Sequence, residues 1–525
     1  MVPTDLSVAL ALLGVVVGGV YFLHVPSAQE RAVRHLPTPG GAFVVTLKMM
    51  WRHGARVYDW ILEHSKLYGG KPWRIQLLGR PVTVVFNSPD VVEDILKTQF
   101  EIFDKGEYTS RAAFDVLGNG IFVADGDLWS HQRKTGSHLF SLQMMRESME
   151  ESVRSHCVLL FERLDTIAAN TAAAAGEEAN VVEMKRLLDL FTMDVFTKIG
   201  FGVDVGGLQG RSSHAFLDAF ERSSLALLYR FQQPMWLWPL KKKLNIGVER
   251  QLKIDMKVIN DTISGIITRS MEERQRGQAQ ADRRDLIALF LDKPSPESLA
   301  STSGGGGMDP ALIRDMAMNF IAAGRDTTSQ SMAWFLIMMN RYPLVLERVR
   351  EELDARLPFL RAEKARIPSM QDVQELVYLE AAIRESLRLN PVVAITTRTA
   401  MQDTTLVDGT FLRAGTRVVF SNYAMARMTS VWGDDAEQFN PDRWLDPTSG
   451  KLVQVSPFKY PVFLGGPRTC LGMKFALMEM KITLAVLLSR YELRTTRDPF
   501  SFTYRAAVTM GIRGPLHIRV AARPT

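Results

Sequence analysis

The chain has 525 residues, of which 46% are hydrophobic and 23% charged. That composition excludes overall disorder and a multi-span membrane protein. Two cysteines exclude an extracellular disulfide framework and suit a reducing compartment, and a net charge of +6 fits an acidic partner or an anionic membrane surface but does not indicate nucleic acid.

From Leu6 to Val25 the chain reads LSVALALLGVVVGGVYFLHV, a nearly uncharged run of the length that crosses a hydrocarbon core as one helix. A cleavable signal peptide has a shorter apolar region behind a basic start. Here Asp5 precedes the run, and Arg31 and Arg34 follow it. The pattern predicts an uncleaved membrane anchor with its basic flank over residues 1–35 and a cytosolic location for the rest. Leu36-Pro37-Thr38-Pro39-Gly40-Gly41 reads as a stiff hinge. Residues 36–525 show no repeat and no second composition boundary, and read as one large, mostly α domain.

Within that domain, β-like runs at 73–78 and 82–86 predict a small early sheet. Helical periodicity then dominates to about residue 390, broken by a flexible Ser/Gly/Pro loop over 295–307. Asp309-Pro310 supplies an N-cap and a first-turn proline for a long apolar helix over 311–340, which Tyr342-Pro343 ends. Beyond 390 the pattern turns to short strands and loops, apart from one helix over 472–489.

Four clusters carry chemistry. The long helix contains Ala323-Gly324-Arg325-Asp326-Thr327-Thr328. Ala323, Gly324 and Thr327 share a face at i, i+1 and i+4, where small residues admit something flat and Thr327 offers a hydroxyl; alternatively the threonines bond back to carbonyls and bend the helix. Glu385 and Arg388 are helical neighbours. With Arg443, from Phe439-Asn440-Pro441-Asp442-Arg443-Trp444, they form a candidate buried ion triad, tolerable only if mutually paired. Glu380 and Arg384 read as an ordinary solvated pair. The fourth cluster is FLGGPRTCLG, residues 463–472. Neither a disulfide nor a zinc site suits Cys470, since Cys157 is distant and no ligand set surrounds it. A structural thiol, a reactive thiol and a thiolate bound to a large cofactor remain. Glycine turns, Arg468 and a helix starting just after the cysteine all favour the thiolate.

The pattern F-x-x-G-x-R-x-C-x-G over Phe463–Gly472 resembles the haem-binding loop of the cytochrome P450 superfamily. The other three clusters fall in that family's order, and Trp129-Ser130-His131-Gln132-Arg133 resembles its Trp-x-x-x-Arg helix. The resemblance covers essentially the whole chain. It implies a mainly α P450 fold with small β-sheets, haem b between the long central helix and the cysteine loop, and an N-terminal transmembrane helix. It further implies that Cys470 is the axial thiolate ligand of the iron and that Phe463 belongs to the ligand loop. Trp129, Arg133, Arg398 and Arg468 would meet the haem carboxylates, dioxygen would bind at Ala323 and Gly324, and Thr327 with Asp326 behind it would relay protons. Glu385, Arg388 and Arg443 would be structural.

Several stretches, 117–134, 322–335 and 463–476, resemble the fatty-acid ω-hydroxylase clan of plants, fungi and algae. Gly465 departs from that clan's frequent alanine, and Leu412-Arg413-Ala414-Gly415 lacks its frequent proline. The resemblance implies hydroxylation of a medium- or long-chain fatty acid. A sterol or terpenoid is the alternative substrate, and a haem-thiolate lipid hydroperoxide isomerase or lyase is an alternative reaction, which the proton-delivering Thr327 opposes. With no flavin or nicotinamide fingerprint, electrons are expected from an NADPH-dependent P450 reductase in the endoplasmic reticulum membrane, docked on Arg133, Lys134, Lys459 and Lys474. The expected pocket lining is 107–124, Phe320, Val392–Ile395 and Val508-Thr509. Trp236 and Trp238 beside Lys241–Lys243 read as a membrane-interface access point.

Overall fold

The computed structural model describes residues 26–169, 180–211, 215–275, 286, 289, 310–363 and 365–524. The expected anchor over 6–25, the 295–307 loop and Asp309 lie outside the described residues. Among the described residues no helix is long and apolar enough to cross a membrane.

A five-stranded sheet runs in the order β1 (Trp73–Ile75), β2 (Thr83–Phe86), β8 (Arg417–Ser421), β5 (Ile395–Ala400), β3 (Phe103–Asp104). Its β2–β8 pair is parallel and the other pairs are antiparallel. A parallel pair needs a long crossover, and here most of the helices run between the two strands. Three smaller sheets complete the β structure: β4 (Val181–Glu183) with β12 (His517–Ala522) and β9 (Tyr491–Thr495), the pair β6 (Thr404–Thr405) and β7 (Phe411–Leu412), and the hairpin β10 (Tyr504–Arg505) and β11 (Gly511–Ile512).

Seven helices position the site: α1 (Gly106–Leu117), α2 (Gly126–Ser137), α3 (Met184–Phe201), α4 (Ala215–Gln232), α5 (Pro310–Arg341), α6 (Val377–Leu389) and α7 (Met473–Arg490). The expected 311–340 and 472–489 helices are α5 and α7. Two short helices after residue 390, Asn422–Met425 and Thr429–Trp432, were not legible from periodicity, being only about one turn long. From Met332 to Met339 no residue of α5 is more than 2% exposed, which is why that half of the helix is apolar all round. Its polar half is buried too, but partnered by α3. Arg325 pairs with Asp189 at 3.3 Å, the Ser329 hydroxyl donates to Asp189 at 2.7 Å, and the Thr192 hydroxyl donates to the Arg325 carbonyl at 3.0 Å.

The acid Glu479 on α7 is only 1% exposed, and neither carboxyl oxygen has a hydrogen bond of normal geometry among the described residues. Burial pushes its pKa up to about 8, against a weaker pull from the Thr328 hydroxyl of α5. The unfolded chain releases the same proton near the usual 4.5. Between those two values the folded protein holds the proton and the unfolded chain does not, so this group makes stability fall as pH rises through the window. Glu479→Gln removes the penalty. It is expected to raise the denaturation midpoint at pH 8 and to change it little at pH 4.5, a difference that urea unfolding at the two pH values would show.

Candidate functional site

The cysteine loop is held by its own backbone. Cys470 N–H donates to the Phe463 carbonyl at 2.8 Å and the Thr469 hydroxyl to the Gly466 carbonyl at 2.7 Å. Leu464 takes φ 57° and Gly466 φ 67°. A side chain at Gly466 would run into the Leu96 carbonyl, and one at Gly465 would lie 2.5 Å from the Phe458 ring. The Gly465 departure noted above thus has a packing reason: Phe458 occupies the space of an alanine methyl. The two thiols differ. Cys157 is buried beside Thr483 and pushed up to about 12 by that burial, which makes it inert. Cys470 is accessible, yet its surroundings are dense enough for desolvation to raise its pKa, with the Gly472 N–H and the Arg133 charge pulling it down. The sulfur is thus both accessible and closely surrounded.

Cations converge near the cysteine loop. Arg468 pairs with Asp125 at 2.5 Å and lies over the Trp129 ring at 4.2 Å; Arg133, one turn along α2 from Trp129, lies 5.8 Å from the same ring. Arg398 is 5% exposed and donates to the Thr397 carbonyl at 2.7 Å. Burial, helped by the Arg468 charge and opposed by Asp125 and Asp104, lowers its pKa to about 10. Sequence reasoning missed three members of this group. Lys105 donates to the Ile121 and Ala124 carbonyls at 2.6 and 3.0 Å, Asp125 accepts from the Lys105 N–H at 3.0 Å, and Asp104 adds the second carboxylate. Asp125 was findable as the N-cap of α2, although its carboxylate is used by Arg468 and Lys105. Three buried cations thus face two carboxylates, and the Arg468 Nε has no partner among the described residues. The donor set fits a further anionic group.

On α5, Thr327 donates to the Ala323 carbonyl at 2.7 Å, which leaves its oxygen free to accept. Gly324 does not share that face. A Cβ there would collide with the Phe196 ring of α3, so its small size serves helix packing and not an open groove. Asp326 is turned away as well, accepting from Thr509 between β10 and β11 and lying 3.7 Å from Arg325. Among the expected lining residues, Val393 and Val508 are about two-fifths exposed. Phe320 is not with them: it is buried, stacked on Phe140, and abuts Gly136 of α2. Of the four basic residues expected to dock a partner, Lys134 and Lys474 are exposed, Lys459 lies over Trp432 at 4.8 Å, and Arg133 is half-buried.

Glu385, Arg388 and Arg443 form a separate cluster. Arg388 grips Glu385 with two bonds of 2.8 Å, and Arg443 reaches it at 3.2 Å. The Trp444 indole N–H and the Asn440 N–H also donate to Glu385, at 2.9 and 2.8 Å. The remaining Arg388 donors go to the carbonyls of Ala426, Ala436 and Gln438. The Glu380–Arg384 pair is not the solvated one expected. Glu380 also takes Lys481 of α7 at 2.9 Å and is largely buried, because α6 packs on α7 at that turn.

The family model described as cytochrome P450 matches residues 37–515. The chain is 34% identical to cytochrome P450 CYP94D108 of Paris polyphylla over 85% of its own length and 84% of that protein. It is 31% identical to cytochrome P450 86B1 of Arabidopsis thaliana, over 89% and 82%, and 30% identical to cytochrome P450 94B1 of the same plant, over 93% and 92%.

The Glu385 cluster can be probed apart from any chemistry. Glu385→Ala leaves two buried guanidiniums and an indole N–H unpaired, and is expected to cost about 3–5 kcal/mol. Denaturant unfolding or the yield of folded protein would read that loss; a midpoint equal to the parent's would show that the triad is not a structural tie.

Proposed function

Because the chain belongs to the cytochrome P450 family, it is a haem-thiolate monooxygenase, and we propose that it hydroxylates a medium- or long-chain fatty acid at or near its ω end. The observation that carries the substrate assignment is the resemblance of residues 117–134, 322–335 and 463–476 to the fatty-acid ω-hydroxylase clan. The apolar, partly open Val393 and Val508 are compatible with an alkyl chain.

When bound, haem supplies dioxygen activation and oxygen insertion into a C–H bond. Cys470 would hold the iron, on a loop turned by Gly466 and Leu464 in the left-handed region. Arg133, Arg398 and Arg468, with the Trp129 indole, would take the haem carboxylates. The excess of cations over acids and the unpartnered Arg468 Nε support that role. Thr327, whose oxygen is free to accept, would hold a water beside Ala323 and pass a proton inward. Asp326 would join that relay only on releasing Thr509. Terminal attack is a positioning problem, since inner methylenes must be kept from the reacting centre. Val393 and Val508 would serve that end without Phe320.

Electrons would come from an NADPH-dependent reductase, with Lys134 and Lys474 as the exposed charges for an acidic partner. The apolar run over 6–25 would anchor the chain in the endoplasmic reticulum membrane with the catalytic domain cytosolic. Exposed Trp236, Leu240 and Leu244 support a second contact with the bilayer. Trp238 takes no part in it, being buried under Arg230 at 4.3 Å.

Incubation of the reconstituted enzyme with saturated acids of graded length, followed by mass spectrometry, is expected to give NADPH-dependent ω or near-ω hydroxy acids. Turnover of a sterol or terpenoid alone would replace the fatty-acid assignment, and turnover of a lipid hydroperoxide without NADPH would replace the reaction. Thr327→Ala is expected to retain haem and substrate binding while diverting most NADPH electrons to hydrogen peroxide. An unchanged ratio of product to NADPH consumed would place the relay elsewhere.

A further inference from the structure

Several buried arginines among the described residues are met by carboxylates. Arg230 of α4, 1% exposed, shows the usual arrangement, with Glu249 at 2.6 Å and Asp115 at 2.8 Å. Arg80, in the turn between β1 and β2, and Arg417, the first residue of β8, have no such partners. Arg417 is 5% exposed, and both guanidiniums lie on the ring of Tyr108 in α1, at 4.8 and 4.4 Å. The charges that act on them are each other's and the phenol's, and burial with mutual repulsion lowers Arg417 to about 10. The Nε atoms of both arginines are buried without a partner among the described residues, and the Tyr108 hydroxyl makes no hydrogen bond of normal geometry. Two adjacent unmatched cations with three unsatisfied donors are unfavourable unless an anion completes them.

We propose that Arg80, Arg417 and Tyr108 form a subsite for the carboxylate of the substrate, an inference that rests on the fatty-acid reading above and supplies the group that recognises the acid end. Its place in the fold fits. A Cβ built on Gly79, beside Arg80, would lie 3.4 Å from the indole of Trp236, which is 59% exposed, so the cluster lies just inside a surface rim. Tyr108 also meets Phe231 of α4 at 5.9 Å, giving the cluster an apolar wall. From Arg417, β8 runs inward to Ser421, which pairs with Ile395 beside the Val392–Ala394 turn. Four strand steps of about 3.3 Å cover about 13 Å, the scale of a medium-length alkyl chain. An acid held at Arg417 would therefore carry its far end toward that turn. The planar forks of two arginines match a carboxylate in geometry as well as in charge.

The test is spectral titration of the holoenzyme with dodecanoic acid and with methyl dodecanoate, which has the same chain and no charge. The wild type is expected to bind the acid more tightly. Arg417→Gln is expected to weaken the acid by about tenfold or more while leaving the ester within about twofold. Arg80→Gln, on the more exposed turn, is expected to act in the same direction and carries the test if Arg417→Gln does not fold. Acid affinity unchanged in both variants would overturn the subsite and leave the fatty-acid reading standing, as would an equal loss for acid and ester. Failure of the wild type to bind either ligand would overturn both.

Discussion

A guanidinium cannot be discharged at neutral pH, so an arginine that this chain buries is stabilised when an anion meets it, and several ties across the fold are made in that way. Glu385 serves Arg388 and Arg443 and ties α6 to the 435–444 loop. Glu249 and Asp115 serve Arg230, drawing together the start of a helix, α1 and α4. Asp189 serves Arg325 and locks α3 to α5. Apart from the Glu385–Arg388 contact within α6, each pair joins distant parts of the chain, and each is strongly coupled because breaking it strands a charge in low dielectric. In places the matching is incomplete. That happens beside the cysteine loop, where Arg468, Arg398 and Lys105 meet only Asp125 and Asp104, and at Arg80 and Arg417, which meet no acid at all.

The cysteine loop obeys a different constraint, that of backbone reach. Cys470 gains its orientation from Leu464 and Gly466 in the left-handed region and from its own N–H bond to Phe463. Gly466 is fixed twice over, by its φ and by the Leu96 carbonyl behind it. The long helix is constrained by contact instead. The approach of α3 to Gly324 leaves no room for a methyl, and Asp326 is held by Thr509 from the β10–β11 turn. A residue that pattern matching assigns to the reaction, because it stands beside a reactive neighbour, is here occupied by structure.

Much of this was legible in the residues. Helices α5 and α7 and the first two strands were readable because hydrophobic period and proline punctuation are local properties. The ion triad was readable because helix spacing put Glu385 next to Arg388. Less could be read wherever function rests on what a side chain meets across the fold. Gly324 and Phe320 carry no mark of facing α3 and α2. Glu380 looked solvated because Lys481, its second partner, is a hundred residues away. Lys105 and Asp125 stand in no motif, and a net charge of +6 says nothing of which cations lack acids.

Strand register joins the two places where charge is unmatched. In the β5–β8 ladder Arg398 stands opposite Val418 and Thr399 opposite Arg417. Paired residues share a face and successive ones alternate, so Arg398 and Arg417 project from opposite sides of the same two strands. Arg398 reaches the charges around Asp125, while Arg417 lies on the side where Gly106 of α1 packs against Thr399. A slip of one residue would exchange the faces and send each cation to the wrong site. The register is held by apolar burial: Val418 and Phe420 are fully buried with Val84 and Phe86 across the parallel pair. The same hydrophobic pattern that builds the sheet thus sets one unmatched cation cluster toward the cysteine loop and the other toward the surface rim, with about 13 Å of strand between the rim cluster and the Val392–Ala394 turn.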